Sequence, residues 1–432
     1  MIKILDTKYK SFKKDFSFYL NLRKNYSVSK SFLVRKVVHD IKKNKDKSLL
    51  KYEKKFNKLN RLVKKEIFYS ESEIKKIISS LSPEVKNSID LAYRRIVNFH
   101  KKQKFNNFKV NDKFNNNLSY RCSPLEKVGV YVPGGKASYP SSVLMNCIPG
   151  IIAGVKEIYM TVPSLKKEVD PGVIYAAKKC KVKRIYRIGG AQAIAAFAYG
   201  TESVPKVDKI FGPGNEYVIL AKKEVFGEVG IDMIAGPSEV TIIADKFSNP
   251  EWVSADLIAQ AEHDELAQSI LVSNDKNLIL KTGYLLKKQL KKLPKKKIAT
   301  ESLKNFGLAI LAKNVNEISD IVNIIAPEHL EIFTRKPNIY LKKIKNAGSI
   351  FLGPYSPEAM GDYLAGPNHV LPTSGTAKFS SGLSVYDFLK RQSVVKITKS
   401  GIERLGPSVI NLAKHEKLYG HAESVQIRIK KG

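Results

Sequence analysis

The feature that most constrains this chain is an alternation of short β-branched runs with longer amphipathic or alanine-rich stretches, which begins near Glu126. Each run ends in a turn that contains Gly or Pro, and the runs recur at roughly 30-residue spacing, as in βαβ units. Such alternation predicts parallel sheets with helices on both faces. Eight runs exceed one small sheet, so two α/β domains are expected. The runs are residues 127–135, 157–163, 184–190, 209–214, 241–245, 269–275, 308–314 and 348–354.

The regions on either side of this alternation have a different sequence pattern. Residues 34–50 and 70–100 show apolar positions at helical spacing, and Ser82-Pro83-Glu84 is typical of a helix start with Pro in the first turn. The chain after Ser384 is predicted to form a helix and a short strand. That tail is too small for a core of its own.

Composition excludes several classes of protein. None of the 432 residues belongs to an uninterrupted apolar stretch of about 18 residues, so no membrane span is expected. The N-terminal residues lack the apolar region of a secretory signal, and the three cysteines have no CxxC spacing that would support a disulfide framework or a four-thiolate zinc site. We therefore expect a cytoplasmic globular protein with no membrane partner.

The chain is strongly basic, with 75 Lys and Arg against 40 Asp and Glu, a formal net charge of +35. Residues 1–120 contribute 31 basic and 11 acidic side chains to this excess. Most of the basic residues are lysines spread through helix-like stretches, without regularly interleaved aromatic residues. We interpret them as solvated surface and expect no specific nucleic-acid partner.

Ligands of open α/β sheets bind beyond the carboxyl ends of the strands, so chemistry is sought in the turns that end the runs. The turn at residues 212–215 precedes a predicted helix over 216–225, whose free N–H groups could bind a phosphate. No G-x-G-x-x-G motif with a following acidic residue is present, so glycines alone do not predict a dinucleotide site. The turns contain Pro133-Gly134-Gly135, Gly189-Gly190, Gly212-Pro213-Gly214-Asn215 and Ala235-Gly236-Pro237-Ser238-Glu239.

Two polar pairs stand out in the second half of the chain. Gln260 and His263 are three residues apart in a helical pattern, and an amide oxygen beside an imidazole could hold zinc. Glu328 and His329 offer two proton acceptors of different basicity, provided that both lie in the turn before the next strand.

Three further residues extend this constellation. Asp362 is a candidate metal ligand and His369 a candidate substrate contact. His421 lies in the small tail, so a metal role for it requires the tail to dock on a larger domain or on a second chain. The residues by themselves indicate a zinc-dependent enzyme on an α/β scaffold, with hydrolysis and oxidoreduction equally open.

Taken together, these segments resemble the histidinol dehydrogenase family, zinc- and NAD-dependent enzymes that complete histidine biosynthesis. The most specific stretch is IDMIAGPSEV at residues 231–240, and the resemblance runs from about residue 30 to 425. The departures are the Lys-rich N-terminal third and Ile234 within the signature, and neither touches the implied chemistry. The other motifs follow in the family's order: GVYVPGG (129–135), GGAQAI (189–194), FGPGN (211–215), AQAEH (259–263), APEHL (326–330) and GPNHVLPT (366–373).

The resemblance implies a site shared between the two subunits of a homodimer. One zinc ion per subunit would be held by Gln260, His263, Asp362 and the His421 of the partner chain. The implied substrate contacts are Ser238, Gln260, His263, His329, Asp362, His369, Glu416 and His421. The implied NAD contacts are Tyr131, Gln192 and Asn215, positions outside the usual Gly-rich fingerprint.

The implied reaction is the four-electron oxidation of L-histidinol to L-histidine through L-histidinal, with two NAD+ reduced in turn. His329 would take the hydroxyl proton and act again in the second oxidation. Glu328 would activate the water that adds to the aldehyde.

The expected architecture is two Rossmann-like parallel-sheet domains with small N- and C-terminal extensions. Residues 27–130 with 238–382 would form the zinc and substrate domain, and residues 131–237 the NAD domain. Residues 1–26 would be an N-terminal extension, and residues 383–432 a tail that packs on the partner subunit.

Three alternatives remain open at this point. A zinc hydrolase could use Glu328 as its base. A thiol, Cys122 or Cys147, could act as nucleophile in aldehyde oxidation, although neither has an obvious cationic neighbour besides Arg121. A basic protein without enzymatic activity could bind nucleic acid, and it would show steep salt dependence.

Overall fold

The computed structural model describes residues 2–23, 28–57, 66–103, 105–134, 139–163, 169–294 and 296–430. The described chain contains fourteen strands in three sheets, surrounded by helices. In chain order the strands are β1 (Lys3–Asp6), β2 (Lys109–Asn111), β3 (Asn117–Pro124), β4 (Lys127–Tyr131), β5 (Glu157–Thr161), β6 (Arg184–Tyr186), β7 (Lys209–Phe211), β8 (Gly230–Ile231), β9 (Glu239–Ala244), β10 (Gln268–Ser273), β11 (Leu308–Leu311), β12 (His329–Phe333), β13 (Ser349–Leu352) and β14 (Leu389–Lys396).

The helices alternate with the strands of the two larger sheets. They are α1 (Phe12–Asn21), α2 (Val28–Asn57), α3 (Glu71–Ile78), α4 (Pro83–His100), α5 (Pro140–Ala153), α6 (Pro171–Lys179), α7 (Gly190–Tyr199), α8 (Glu216–Val225), α9 (Pro250–Ala261), α10 (Lys276–Leu290), α11 (Lys296–Phe306), α12 (Val315–Ile325), α13 (Pro337–Leu341), α14 (Glu358–Tyr363), α15 (Lys399–His415) and α16 (Tyr419–Lys430). None of the helices in these ranges is long and apolar enough to cross a membrane.

The larger sheet has six parallel strands in the order β1-β11-β10-β9-β12-β13. Its two faces are buried by different helices, because alternate side chains of a strand point to opposite faces. Ile243 packs with residues of α1 and α12, whereas Ile242 packs with residues of α9, α10 and α11. Burial on both faces explains why β9 and β10 read as continuous apolar runs rather than as alternating ones.

The second sheet has five parallel strands in the order β6-β5-β4-β7-β8. Helices α2, α7 and α8 cover one face, and α4, α5 and α6 cover the other. A third, antiparallel sheet joins the tail to the body in the order β14-β3-β2. Thr398 extends this connection, because its N–H donates to Oδ1 of Asn116 over 2.9 Å.

The fold class predicted from the alternation is confirmed: the chain is α/β with two parallel sheets, and each of the eight runs contains a strand. The helix start at Ser82 is confirmed as well. Its side chain accepts from the N–H of Val85, and Pro83 occupies the first turn. The tail differs from expectation because it contains two helices and an eight-residue strand.

Two of the expected domain boundaries do not match the packing. Strand β1 is an edge strand of the six-stranded sheet, paired with β11, so residues 1–26 are not merely an extension. Helices α2 and α4 pack on the five-stranded sheet rather than on the six-stranded sheet built mainly from 238–382, although Arg95 of α4 also bonds to the carbonyl oxygens of Leu364 and Ala365. The cause is their apolar faces, which carry Val34 and Ile41 on α2 and Ile89 and Ile96 on α4 into the core of that sheet.

Candidate active site

Glu328 and His329 lie side by side at the amino end of β12, both almost fully buried. His329 is the first residue of the strand and only Glu328 lies in the turn before it, whereas the prediction from the sequence required both residues in that turn. Both are held by the backbone of Glu239, the first residue of the neighbouring strand β9. Its N–H donates to Oε2 of Glu328 over 2.9 Å, and its carbonyl oxygen lies 3.2 Å from Nδ1 of His329.

This position corrects one expectation. Functional residues in general were sought in the turns that end the strands, although Glu328 and His329 were expected in the turn before a strand. In the six-stranded sheet Glu239, Gln268 and His329 all begin their strands. The segment 232–238 explains why these residues lie at the amino ends of their strands. It connects β8 of the five-stranded sheet to β9 of the six-stranded sheet, so the signature ends where β9 starts.

The contacts of His329 fix which ring nitrogen is basic. A carbonyl oxygen only accepts hydrogen bonds, so Nδ1 carries the hydrogen that points to Glu239. The other nitrogen, Nε2, is buried without a partner among the described residues. Burial lowers the pKa of His329 to about 4, so the ring is neutral at neutral pH and Nε2 offers a lone pair.

The carboxyl groups around this imidazole behave in the opposite way. Burial and the neighbouring Glu239 raise the pKa of Glu328 well above its usual range. Glu358 has a raised pKa as well, because it is buried and faces Asp362 and Glu328. A carboxylate with a raised pKa is a stronger base once it is ionised, which suits a group that must activate water.

Three side chains next to this pair form a potential metal site. One ligand atom from each of His263, Glu358 and Asp362 can be chosen such that all lie within 4.8 Å of one another. Gln260 is buried beside them. With its amide oriented so that the nitrogen faces Glu358, the nitrogen donates to the two oxygens of Glu358 over 2.8 and 3.1 Å and the amide oxygen is left as a potential ligand. One imidazole with carboxylate and amide oxygens fits a zinc ion that keeps positions open for substrate.

Helices α9 and α14 place these groups. Gln260 is in the last turn of α9, whereas His263 lies two residues beyond the end of the helix. Glu358 and Asp362 are four residues apart on α14 and therefore share a face. The sequence analysis missed Glu358. Its spacing from Asp362 was the signal that could have found it.

The predicted substrate contacts are brought together only in part. Ser238 immediately precedes Glu239, the first residue of β9. Strand β9 pairs with β12, which begins at His329. Nε2 of His369 is buried and has no partner among the described residues, as expected of a group that awaits a ligand. Burial lowers the pKa of this imidazole too.

The tail residues are not brought to this site within the chain. His421 and Glu416 are exposed, and α16 packs on α15. His421 is not a member of the group formed by His263, Glu358 and Asp362 in the described chain. The requirement that the tail dock on a second chain therefore stands as a prediction.

The predicted NAD contacts do line one cavity, of about 360 Å³, at the carboxyl edge of the five-stranded sheet. Tyr131 ends β4, Gln192 is in the first turn of α7, and Asn215 caps α8 by accepting from the N–H groups of Tyr217 and Val218. The turn before Asn215 requires glycine. A Cβ at Gly212, whose φ is +106°, would lie 2.0 Å from the carbonyl oxygen of Tyr131. Gly135 falls outside the described residues.

A buried acid on α2 organises this cavity. Oε1 of Glu53 accepts from the N–H of Gly189 over 3.0 Å and from the amide of Gln192 over 2.9 Å, and its other oxygen accepts from Asn57. Burial raises the pKa of Glu53 to about 7. Sequence reasoning missed Glu53, because a lone acid in a Lys-rich amphipathic helix gives no local signal.

The two cysteines considered as nucleophiles lie on other elements. Cys147 is fully buried in the apolar core on α5, and Cys122 lies on β3 of the antiparallel sheet. Neither shares a strand or helix with Glu328 or His329, so the structure offers no support for a thiol mechanism.

A parallel sheet with a cavity at its carboxyl edge, and a second parallel sheet with a buried acid–base pair beside a potential metal-ligand cluster, define an α/β protein with an enzyme-like site. Comparison with known proteins gives the particular family. The profile of the histidinol dehydrogenase family matches residues 22–429. The chain belongs to the histidinol dehydrogenase family.

Similarity to individual proteins supports the same family. The chain is 56% identical over 432 residues to the histidinol dehydrogenase of Pelagibacter ubique, covering 100% of both chains. It is 47% identical to that of Clostridium acetobutylicum, covering 92% of each. The crystal structure of histidinol dehydrogenase from Elizabethkingia anophelis superposes with a TM-score of 0.93 at 38% identity, covering 100% of this chain and 98% of that one.

Family membership confirms the resemblance and the predicted enzyme class, an NAD-dependent oxidoreductase of histidine biosynthesis. The hydrolase and nucleic-acid alternatives are not supported.

Proposed function

We propose that the protein oxidises L-histidinol to L-histidine in two successive hydride transfers to NAD+, in the cytoplasm, with the roles of its residues as follows. The observation that carries the proposal is the buried pair of Glu328 and His329, fixed by Glu239 beside the group of His263, Glu358 and Asp362. Two proposed bases therefore lie beside a cluster of side chains that could bind a metal ion.

The first oxidation converts the alcohol carbon to an aldehyde. Nε2 of His329 accepts the hydroxyl proton while a hydride leaves the carbon for NAD+, so the substrate loses two electrons and two hydrogens. The neutral imidazole is suited to this step because burial keeps the pKa of His329 low and Nδ1–H holds the ring against Glu239.

The second oxidation requires water. Glu328 removes a proton from the water that adds to the aldehyde, and His329 takes the hydroxyl proton of the hydrate as the second hydride leaves. The overall change is one alcohol, one water and two NAD+ converted to one carboxylate, two NADH and three protons. Glu328 is poised for this because its buried carboxyl group has a raised pKa.

Zinc would be held by Gln260, His263, Asp362 and the partner subunit's His421. When bound, the ion would fix the substrate through its nitrogen atoms, which is a gain in proximity and orientation. Ser238, His369 and the tail residue Glu416 would contact the rest of the substrate. Tyr131, Gln192 and Asn215 would contact the dinucleotide, and the shared cavity that they line supports this role.

The proposal of a homodimer rests on the surface of the tail. Val395 of β14 is 62% exposed, Leu412 of α15 is 64% exposed, and Tyr419 of α16 is 66% exposed. Exposed apolar side chains of this size on three consecutive elements indicate a contact surface. His421 and Glu416 lie on the same elements and would reach the partner's site.

The direct test follows NADH by its near-ultraviolet absorbance after histidinol is added. We expect turnover by the native chain and a loss of about 10²- to 10⁴-fold in His329→Asn, since a positioned general base contributes that much. His39→Asn is the matched control, because His39 is an exposed histidine on α2. Native-like turnover in His329→Asn would remove the imidazole from the mechanism.

A further inference from the structure

Arg23 is a buried cation whose contacts converge on the segment next to the catalytic pair. Its side chain is 4% exposed and forms an ion pair with Glu239, itself 6% exposed, at 2.9 Å between Nη1 and Oε2. No sequence motif distinguishes Arg23 from the other basic residues. Most basic side chains in this part of the chain are exposed lysines, so a buried arginine there requires an explanation.

The guanidinium group contacts four acceptors on two strands and the preceding turn. Nη1 also lies 3.2 Å from Oε1 of Gln268, at the start of β10. Nη2 donates to the carbonyl oxygen of Pro237 and lies 3.4 Å from that of Ser238. The guanidinium group is planar, and it binds both a side-chain carboxylate and two consecutive carbonyl oxygens. It therefore fixes the position and the orientation of residues 237–239.

The last of these residues, Glu239, also holds the catalytic pair through its backbone. The N–H of Glu239 fixes Oε2 of Glu328, and its carbonyl oxygen fixes Nδ1 of His329. The second carboxylate oxygen of Glu239 accepts from the N–H of Ser374 over 2.9 Å. A shift of the Glu239 backbone would therefore affect the contacts of both proposed bases.

We propose that Arg23 is a positioning residue for Glu328 and His329, which it holds through residues 237–239. This inference rests on the proposed function, since it concerns the same acid–base pair. Arg23 reaches neither the reacting atoms nor the dinucleotide in this account. Its effect should appear in kcat for both oxidations and should leave the KM for NAD+ unchanged.

The test uses two changes together, because loss of Arg23 alone leaves a buried carboxylate without its cation. Arg23→Met with Glu239→Gln removes both charges and keeps similar volume, so the chain should fold. We expect kcat to fall by about 10²-fold with NAD+ KM within twofold of the native value, as a misplacement of about 1 Å in a catalytic group produces. Arg35→Met, which breaks an exposed ion pair with Glu224, is the matched control.

Two further measurements separate positioning from general destabilisation. Ethylguanidine at millimolar concentration should restore part of the kcat of Arg23→Ala, because it refills the guanidinium site, and should not affect Arg35→Ala. The double change should add little to the loss already caused by His329→Asn, since both act on one step.

The outcomes are distinct. If His329→Asn and Glu328→Gln lose turnover while the double variant keeps native kcat, the role of Arg23 is refuted and the proposed function stands. If His329→Asn and Glu328→Gln keep turnover, the proposed function itself fails. A double variant whose loss lies in the KM for NAD+ also contradicts the positioning role.

Discussion

Nδ1 of His329 lies 3.2 Å from the carbonyl oxygen of Glu239, and the N–H of Glu239 donates to Oε2 of Glu328. The backbone N–H and carbonyl group of one residue of β9 therefore orient both proposed bases. The arrangement leaves Nε2 of His329 as the basic atom and fixes the Glu328 carboxyl group beside it. It gives the two residues different tasks, which mutation can separate.

Glu328→Gln should slow oxidation of the aldehyde more than oxidation of the alcohol. The amide keeps the shape of the carboxyl group but does not accept a proton from water, so the loss should be about 10²-fold or more in the aldehyde step. Single-turnover kinetics with histidinol and with histidinal measure the two steps. Equal losses in both would contradict separate roles, and exposed Glu84→Gln on α4 serves as control.

Glu53→Gln should stabilise the protein at alkaline pH. Burial raises the pKa of Glu53 from 4.5 to about 7, so above pH 7 the folded chain carries an ionised carboxylate that it disfavours. Folding then costs about 3 kcal/mol that Gln avoids, and the cost falls below about 1 kcal/mol at pH 5, where the folded carboxyl group is protonated. The difference in Tm between variant and native protein should therefore shrink from pH 8 to pH 5.

A gap in Tm that does not depend on pH would show that the pKa of Glu53 is not raised in the folded chain. Glu66→Gln is the control for the charge change itself, because Glu66 is exposed.

Glu358→Gln should weaken zinc binding by about 10- to 100-fold, a loss typical of residues that support or complete a metal site. Glu358 accepts from Gln260 and lies with His263 and Asp362, so its charge is close to any ion held there. Competition with a chromophoric chelator measures the dissociation constant. Unchanged affinity in Glu358→Gln would exclude a role of Glu358 in supporting or completing the metal site, and exposed Glu251→Gln is the matched control.

A mixture of His263→Ala and His421→Ala chains tests the shared site. If His421 acts across the interface, each heterodimer contains one site with both changes and one with neither, so an equal mixture should regain about one quarter of native activity. Verified subunit exchange without any recovery would favour a site built within one chain.

The sequence predicted the fold well where local pattern and packing agree. The alternation of apolar runs and helices located eight of the eleven strands of the two parallel sheets, and the helices predicted to start after Ser82 and Asn215 are capped by those residues in the structure. Strand β1 was missed because four residues with one buried side chain carry too little pattern, and it depends on β11 for its pairing.

The site was predictable only where its residues are neighbours in the chain. Glu328 with His329, and Gln260 with His263, follow from spacing, whereas Arg23 and Glu53 act over 216 and 139 residues on Glu239 and Gln192. Such contacts arise from tertiary packing and leave no periodic signal. The crossing of 232–238 between the two sheets likewise moved the site to the amino ends of the strands, against the rule for a single open sheet.

The central claim is that buried side chains of α9, β12 and α14 converge on one metal-dependent oxidation of an amino alcohol. Its most direct test is histidinol-dependent reduction of NAD+ by the purified chain, before chelation, after chelation and after zinc is restored. The account predicts two NADH per histidinol, loss of turnover on chelation and recovery with zinc. Undiminished turnover by a chain shown to contain no metal, or no turnover by the zinc-loaded chain, would contradict it.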